Sequence, residues 1–190
     1  MSIALSKPTN VLSLEEFLTL PETKPASEYI DGQIYQKSMP QFQHSTLQTE
    51  IASCINQIGK QKKVAFAFPE LRCNFNGVSI VPDITVLRWQ NIPFQADGRV
   101  SDQIPLTPDW MIEILSPGQS PLRVMNKIGL AITNGSQLGW LISPAKELIV
   151  VYTGDQIPET KKGKDILPVL EGLNDWQVTV DDVFNLLSLQ

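Results

Sequence analysis

Two acidic residues interrupt apolar stretches that otherwise have the composition of buried β-strands. Glu113 lies within WMIEIL at residues 110–115, and Asp83 lies within VSIVPDITVL at residues 78–87. A carboxylate is costly to bury unless an opposite charge or hydrogen-bond donors pair with it. The partners of these two residues should therefore indicate what the protein does.

The spacing of the two acids allows them to meet. They lie on two predicted strands that follow one another in the chain, and residues of one parity share a face of a strand. Two converging carboxylates would repel and take up protons unless a cation lies between them. Mg²⁺, with Mn²⁺ as a substitute, takes one or two carboxylates plus waters and leaves positions for phosphate oxygens. Asp83 and Glu113 are thus candidate ligands of a divalent cation and candidate catalytic residues.

A basic residue, Lys127, lies on a predicted helix after the strand of Glu113, one helical turn beyond Arg123. A lysine near a metal-bound water can orient it or stabilise the charge that develops at phosphorus. Each of the three residues also has a structural interpretation. Asp83 could cap backbone amides at a strand end, Glu113 could pair with Lys127 or Arg123, and Lys127 could face solvent, as most lysines do.

Three further residues are weaker candidates for the same site. His44, the only histidine, begins a predicted helix and either packs on the sheet or contacts a metal-bound water or phosphate. Glu28 either joins the site from a predicted hairpin or is a surface acid. Glu70 is either an additional acid behind the metal ligands or an exposed edge residue, and the second interpretation is slightly favoured.

The elements that must position these residues alternate between helical and strand periods, which predicts a mixed α/β fold. Ser13 and Glu16 form a capping box for a short helix, and Asp31-Gly32 predicts a hairpin. The apolar run around Glu113 predicts a central strand that is covered on both faces. The remaining predictions are helices over 43–58, with Gly59 as C-cap, and 120–134; single strands within 62–75 and 77–89; an irregular loop over 91–108; a strand pair within 138–154; a polar stretch over 155–165; and a closing strand and helix.

Composition limits the class of protein. A chain of 190 residues with 42% hydrophobic residues predicts one domain, residues 1–190, with a real core. Its net charge of −5 argues against strong non-specific binding to polyanions. The two cysteines and one histidine argue against a structural zinc site. No signal peptide or apolar segment of membrane-spanning length is apparent, so a cytoplasmic protein is expected.

An ordered set of motifs resembles a known family. VPDITVL, WMIEILSPGQSPLRVMNK, LGWLISP, EYIDG (residues 28–32), the helix that begins at His44 and the tail over residues 168–187 resemble the Uma-type restriction endonuclease family of the PD-(D/E)xK nuclease superfamily. The resemblance runs from about Leu12 to Leu187. It implies a restriction-endonuclease-like α/β fold, with a mixed central sheet flanked by helices and an N-terminal helix and hairpin.

The resemblance also implies an activity, which is Mg²⁺-dependent hydrolysis of phosphodiester bonds in DNA, by a homodimer if two sites act together. Asp83 and Glu113 would hold the metal, the Ile114 carbonyl would be a further ligand, and Lys127 would orient or activate the attacking water.

Several positions differ from the pattern, however. Leu115 stands where the superfamily has the lysine of E-x-K, and Ser143 and Ala131 replace an aspartate and an aromatic residue of the family. The alternatives are therefore a non-catalytic relative that binds nucleic acid or protein, and a metal-dependent hydrolase of another phosphate-containing substrate.

Overall fold

The computed structural model describes residues 12–101, 106–154 and 156–188. In these ranges the strands form two sheets, one of four strands and one of six. The helices are α1 (Leu14–Leu18), α2 (Phe42–Lys62), α3 (Pro121–Thr133) and α4 (Val180–Asn185). The strands are β1 (Ser27–Ile30), β2 (Gln33–Gln36), β3 (Ala65–Pro69), β4 (Cys73–Phe75), β5 (Val78–Ile80), β6 (Ile84–Arg88), β7 (Trp110–Ile114), β8 (Leu138–Ser143), β9 (Leu148–Thr153) and β10 (Glu159–Lys162).

The smaller sheet is built on the predicted N-terminal hairpin. Its order is β2-β1-β5-β4, and every pairing in it is antiparallel. Asp31 and Gly32 connect β1 to β2 with φ values of 50° and 76°, the left-handed conformation that a two-residue hairpin turn requires. The predicted capping box of Ser13 and Glu16 is also present at the start of α1. Both local predictions are confirmed.

The larger sheet has the order β10-β9-β8-β7-β6-β3. Its only parallel pair, within the described residues, is β7 with β8; β6 runs antiparallel to β7 with Ile84 opposite Ile112. Every residue of β7 is buried, as the apolar run predicted. Trp110, Ile112 and Ile114 pack in the core that contains α2 and α4, whereas Met111 packs in a second core with α3 and the smaller sheet.

Two strand predictions are wrong, because each predicted single strand is two strands that belong to different sheets. The segment 62–75 forms β3 in the larger sheet and β4 in the smaller one, and 77–89 likewise forms β5 and β6. In the second segment the chain crosses between sheets at Val81-Pro82-Asp83, where proline lacks the N–H that a sheet ladder needs. The alternation of apolar residues continues across such a break, so periodicity alone does not reveal it.

Three other predictions concern the loop and the C-terminal region. The polar stretch 155–165 contains β10, a strand at the edge of the larger sheet. The predicted closing strand is replaced, among described residues, by the isolated bridge between Ile166 and Thr179. The loop over 91–108 is irregular apart from a short helical turn at Trp89–Asn91 and a bridge of Phe94 to Val100. Residues 102–105 of this loop lie outside the described ranges. The N-terminal segment 1–11, in which no signal peptide was expected, also lies outside them. None of the described helices is long and apolar enough to cross a bilayer.

Gly59 was predicted to end the second helix, but it lies inside α2. The helix continues to Lys62, and Lys63 is the C-cap with φ 53° and ψ 45°. A Cβ atom on Gly59 would lie 2.3 Å from the carbonyl oxygen of Ala65. The glycine is therefore required by the close approach of α2 to β3 rather than by a turn.

This contact predicts that Gly59→Ala lowers the free energy of unfolding by about 1–3 kcal/mol, because helix and strand must move apart. Gly129 in α3 is a matched control, since a Cβ there would meet nothing within 4 Å. Gly129→Ala should leave stability unchanged or raise it by up to about 1 kcal/mol. Urea denaturation of both variants measures the difference, and equal effects would contradict this explanation of Gly59.

Candidate active site

Asp83 and Glu113 meet where β6 begins beside β7. In the register of β6 with β7, Ile84 pairs with Ile112. Extending this register by one residue places Asp83, which precedes β6, opposite Glu113. Only 2% of Asp83 and 1% of Glu113 is exposed. The backbone N–H of Ile114 donates to Asp83 Oδ2 at 2.7 Å. The structure therefore places Asp83 beside Glu113 and Ile114. The contact at Ile114 is through its N–H, whereas the predicted metal ligand is its carbonyl oxygen.

Asp83 is stabilised as a carboxylate by its neighbours. The ammonium of Lys37 lies 2.7 Å from Asp83 Oδ1, and His44 Nε2 lies 3.3 Å from the same oxygen. Burial alone would raise the pKa of Asp83, but the hydrogen bond from His44 and the charge of Lys37 outweigh it and hold the pKa below its ordinary value. Asp83 is thus ionised throughout the physiological pH range, as a metal ligand must be.

At Glu113 the effect of burial on the pKa outweighs the effect of the neighbouring positive charges. Burial raises the pKa of Glu113 to about 7, against the attraction of Lys127 and with a further increase from the charge of Asp83. Lys127 Nζ lies 2.8 Å from Glu113 Oε1, so the two side chains form an ion pair. The two neighbouring acids therefore have different proton affinities.

Lys127 is buried, so its interpretation as a solvent-facing lysine is wrong. Its Nζ lies 2.8 Å from Glu28 Oε1 as well as 2.8 Å from Glu113 Oε1. Burial lowers the pKa of Lys127, but the charges of Glu113 and Glu28 more than compensate and raise it above the ordinary value. The ion pair of Glu113 with Lys127 is present. Arg123, the other proposed partner, is exposed, and its guanidinium lies 5.0 Å from the centre of the Tyr35 ring.

The N-terminal hairpin contributes two charged residues to the site. Glu28, on β1, is buried rather than on the surface, and its Oε1 accepts from the N–H of Val81 at 2.9 Å and from Lys127. Lys37 follows β2, and its ammonium donates to the carbonyl of Val81 at 2.9 Å. Glu28 and Lys37 thus hold Val81 from both sides, two residues before Asp83. Sequence reasoning missed Lys37, because no motif or periodicity distinguishes it from a surface lysine.

The remaining two candidates differ in position. His44 is buried, and its Nδ1 lies 3.1 Å from the hydroxyl of Ser116, a residue that sequence reasoning also missed. Glu70 has an exposed side chain, 54% accessible, with Oε1 3.8 Å from Lys37 Nζ. His44 therefore belongs to the buried charged cluster formed by Glu28, Lys37, Asp83, Glu113 and Lys127. Glu70 lies at the rim of this cluster, in agreement with its interpretation as an edge residue.

An open cavity of about 820 Å³ adjoins the cluster. It lies between the N-terminal ends of α2 and α3 and is lined by His44, which contacts Asp83, and by Ser116. Leu115 and Ser143 also line it. A substrate in this cavity would approach the site from the side of Asp83 and His44.

The residues fit a hard divalent cation. The described part of the chain contains no group of three His, Cys, Asp or Glu side chains that could hold a metal, so an ion would have two carboxylates at most. This is the usual protein contribution to a Mg²⁺ site, in which waters and phosphate oxygens complete the shell. Asp83 and Glu113 supply carboxylate oxygens, which are the donor type that such an ion prefers.

The raised pKa of Glu113 predicts how the metal-free protein responds to pH. The folded state holds the proton of Glu113 more tightly than the unfolded state does. The stabilisation that this proton gives to the folded state is therefore complete below about pH 4.5 and is lost as the pH rises through about 7. Between pH 5 and pH 8, in EDTA, the wild type should lose on the order of 2–3 kcal/mol of unfolding free energy relative to Glu113→Gln. Asp83 does not contribute in this window, since its lowered pKa acts below pH 3.8. Denaturation curves with a constant difference between the two proteins across this range would contradict the assignment.

Comparison with known proteins places the chain among nuclease-like proteins. Residues 14–181 match the family Uma2, described as "Putative restriction endonuclease". The crystal structure of a protein from Anabaena variabilis, described as a "putative nuclease belonging to DUF820", superimposes with a TM-score of 0.90 at 43% identity, over 93% of this chain and 99% of that one. No curated protein matches the chain. The predicted restriction-endonuclease-like α/β fold is confirmed.

Proposed function

Because the chain belongs to the Uma2 family of restriction endonuclease-like proteins, we propose that it is a metal-dependent endonuclease that hydrolyses phosphodiester bonds in DNA. Family membership and the similar nuclease-like crystal structure support nuclease function in general. The observation that carries the more specific proposal is the buried pair of Asp83 and Glu113, held by two lysines beside an open cavity.

The cation of this proposal is Mg²⁺, with Mn²⁺ as a substitute. Asp83 and Glu113 would hold it, with the Ile114 carbonyl as a further ligand. When bound, such an ion polarises the phosphate and lowers the pKa of a bound water. The charges around the site also favour a bound cation, because three acids, Glu28, Asp83 and Glu113, face two lysines, Lys37 and Lys127, among the described residues. The five groups sum to one negative charge when all are ionised.

The protein residues then have separate tasks. Asp83 is already ionised, and its orientation is fixed by the Ile114 N–H. Lys127 is protonated at neutral pH, since its pKa is raised, so it can donate hydrogen bonds but cannot accept the proton of water. Lys127 therefore orients the attacking water and stabilises charge at phosphorus, rather than acting as a general base. His44, held by Ser116, is placed on the cavity side of Asp83.

A non-catalytic binding protein remains the alternative in a different functional class. The departures from the family pattern at Leu115, Ser143 and Ala131 argue for it, as does the acidic net charge. The ammonium of Lys127 nevertheless lies 2.8 Å from Glu113, so a cation reaches the acid from the helix instead of from the strand. This contact answers the argument from Leu115, and a cleavage assay decides between the two functions.

Incubation of the protein with supercoiled plasmid and with a matched RNA, in Mg²⁺ or Mn²⁺, tests the proposal. We expect nicked or linear DNA with the wild type, no product in EDTA, and none with Glu113→Gln. Binding of DNA without cleavage under all metal conditions would overturn the proposal in favour of the binding protein. Cleavage of RNA alone would overturn the DNA assignment. The predicted homodimer is tested by solution mass and by whether linear product appears without a nicked intermediate.

A further inference from the structure

The side chain of Lys37 is nearly buried beside Asp83, one of the two proposed metal ligands. Its ammonium lies 2.7 Å from Asp83 Oδ1, 2.9 Å from the Val81 carbonyl oxygen and 3.8 Å from Glu70 Oε1, and its side chain is only 10% exposed. A lysine this buried is uncommon unless it is paired. Its main partner is Asp83, the carboxylate that would hold a metal ion in the proposed site.

The two lysines of the site are held differently. Lys127 lies 2.8 Å from each of two buried carboxylates. Lys37 has one carboxylate at close range, a neutral carbonyl, and a distant carboxylate on an exposed side chain. If a divalent cation neutralised Asp83, the main attraction on Lys37 would be lost, whereas Lys127 would keep Glu28. Lys37 is therefore the lysine that is able to change partners.

We infer that Lys37 is a second catalytic lysine of the site: it holds Asp83 when no metal is bound, and it turns to a phosphate oxygen of the substrate when a divalent cation binds Asp83. This inference rests on the proposed function. Its first consequence is competition, because the ammonium and the metal ion would bind the same carboxylate. Its second consequence is that the displaced ammonium supplies positive charge at the reacting phosphate.

The competition predicts an effect on metal binding that does not depend on catalysis. Removing a positive charge beside Asp83 strengthens the attraction of the carboxylate for a cation. Titration calorimetry with Mn²⁺ alone should show that Lys37→Met binds the ion at least about tenfold more tightly than the wild type. Lys37→Arg retains the charge and should bind Mn²⁺ with nearly wild-type affinity. Lys161→Met, which removes the partner of Glu159 on the outer strand β10, is a matched control with no expected change.

The proposed movement of the Lys37 ammonium to a phosphate oxygen predicts a separate effect on cleavage. Lys37→Met should lower kcat by about 10²-fold at saturating Mn²⁺ with little change in KM, because the ammonium acts on charge that develops in the transition state. Lys37→Arg should recover part of kcat. A role limited to holding Val81 and Asp83 would instead lower thermal stability and leave kcat of the folded fraction unchanged.

The two measurements separate failure of this inference from failure of the proposed function. Unchanged or weaker Mn²⁺ binding by folded Lys37→Met would overturn the competition, whatever the activity. Tighter binding with unchanged kcat would overturn the catalytic role. If the wild type binds Mn²⁺ but cleaves no nucleic acid, the proposed function fails and the catalytic role of Lys37 fails with it. If Lys37→Met does not fold, the affinity of Lys37→Gln, which retains a hydrogen-bond donor without the charge, decides the competition.

Discussion

Lys127→Met is expected to lower the free energy of unfolding by about 3–5 kcal/mol, the largest stability effect we predict for a single substitution. Methionine fits the space of the lysine stem, so the loss comes from charge rather than from a cavity. Without the ammonium, Glu28 and Glu113 would be two buried carboxylates that lose the cation between them. Urea denaturation at pH 7.5 in EDTA measures the change.

A surface ion pair provides the matched control for this prediction. Lys62 pairs with Asp175, and 39% and 74% of their side chains are exposed. Lys62→Met should therefore cost no more than about 1 kcal/mol. Adding Glu28→Gln to Lys127→Met should recover part of the lost stability, because one of the two unpaired charges is removed. If Lys127→Met were as stable as Lys62→Met, the buried cation would not hold the site together.

Asp83→Asn is expected to reduce DNA cleavage by at least about 10³-fold while the protein remains folded. The amide is a poor ligand for Mg²⁺, and its NH₂ group would face donors if its oxygen continued to accept from the Ile114 N–H. In the wild type, the ammonium of Lys37 and Nε2 of His44 both lie against Oδ1 of Asp83, where the NH₂ group would stand. The conflict should cost about 1–3 kcal/mol of stability. Plasmid cleavage rates and thermal unfolding, measured on the same preparation, separate the two effects.

Glu70→Gln is the control for the loss of an acid near the site. Glu70 is exposed and lies 3.8 Å from Lys37, at the rim of the cluster. Its substitution should change the cleavage rate by no more than a few fold. Equal losses in Asp83→Asn and Glu70→Gln would mean that general negative charge, rather than a specific ligand at Asp83, supports activity.

The sequence predicted the centre of the site because two simple rules applied there. Strand parity and the pairing of neighbouring strands brought Asp83 to Glu113, and the cost of burying carboxylates indicated that cations must be near. Both rules depend on local pattern. The same rules did not detect that the chain crosses between sheets at Val81-Pro82-Asp83, because residues on both sides of the crossing are buried.

Lys127 was predicted as a site residue mainly through the family resemblance, and Lys37 was not predicted at all. A lysine is usually exposed, and nothing in the sequence marks Lys37 or Lys127 as buried. Their positions follow from long-range contacts: Glu28 reaches Lys127 across 99 residues of chain, and Lys37 reaches Asp83 across 46. The hairpin that carries Glu28 and Lys37 was predicted as an element, but its part in the site depends on how the two sheets meet.

Calorimetric titration of the wild type with Mn²⁺ at pH 8, where Glu113 is ionised, tests the central claim most directly. The claim is that Asp83 and Glu113 together form a divalent cation site. Saturable binding by the wild type and by Glu70→Gln, together with loss of binding in both Asp83→Asn and Glu113→Gln, is the predicted result. Wild-type affinity in either of those two variants, or no binding by the wild type at millimolar Mn²⁺ in the presence of a duplex DNA, would contradict it.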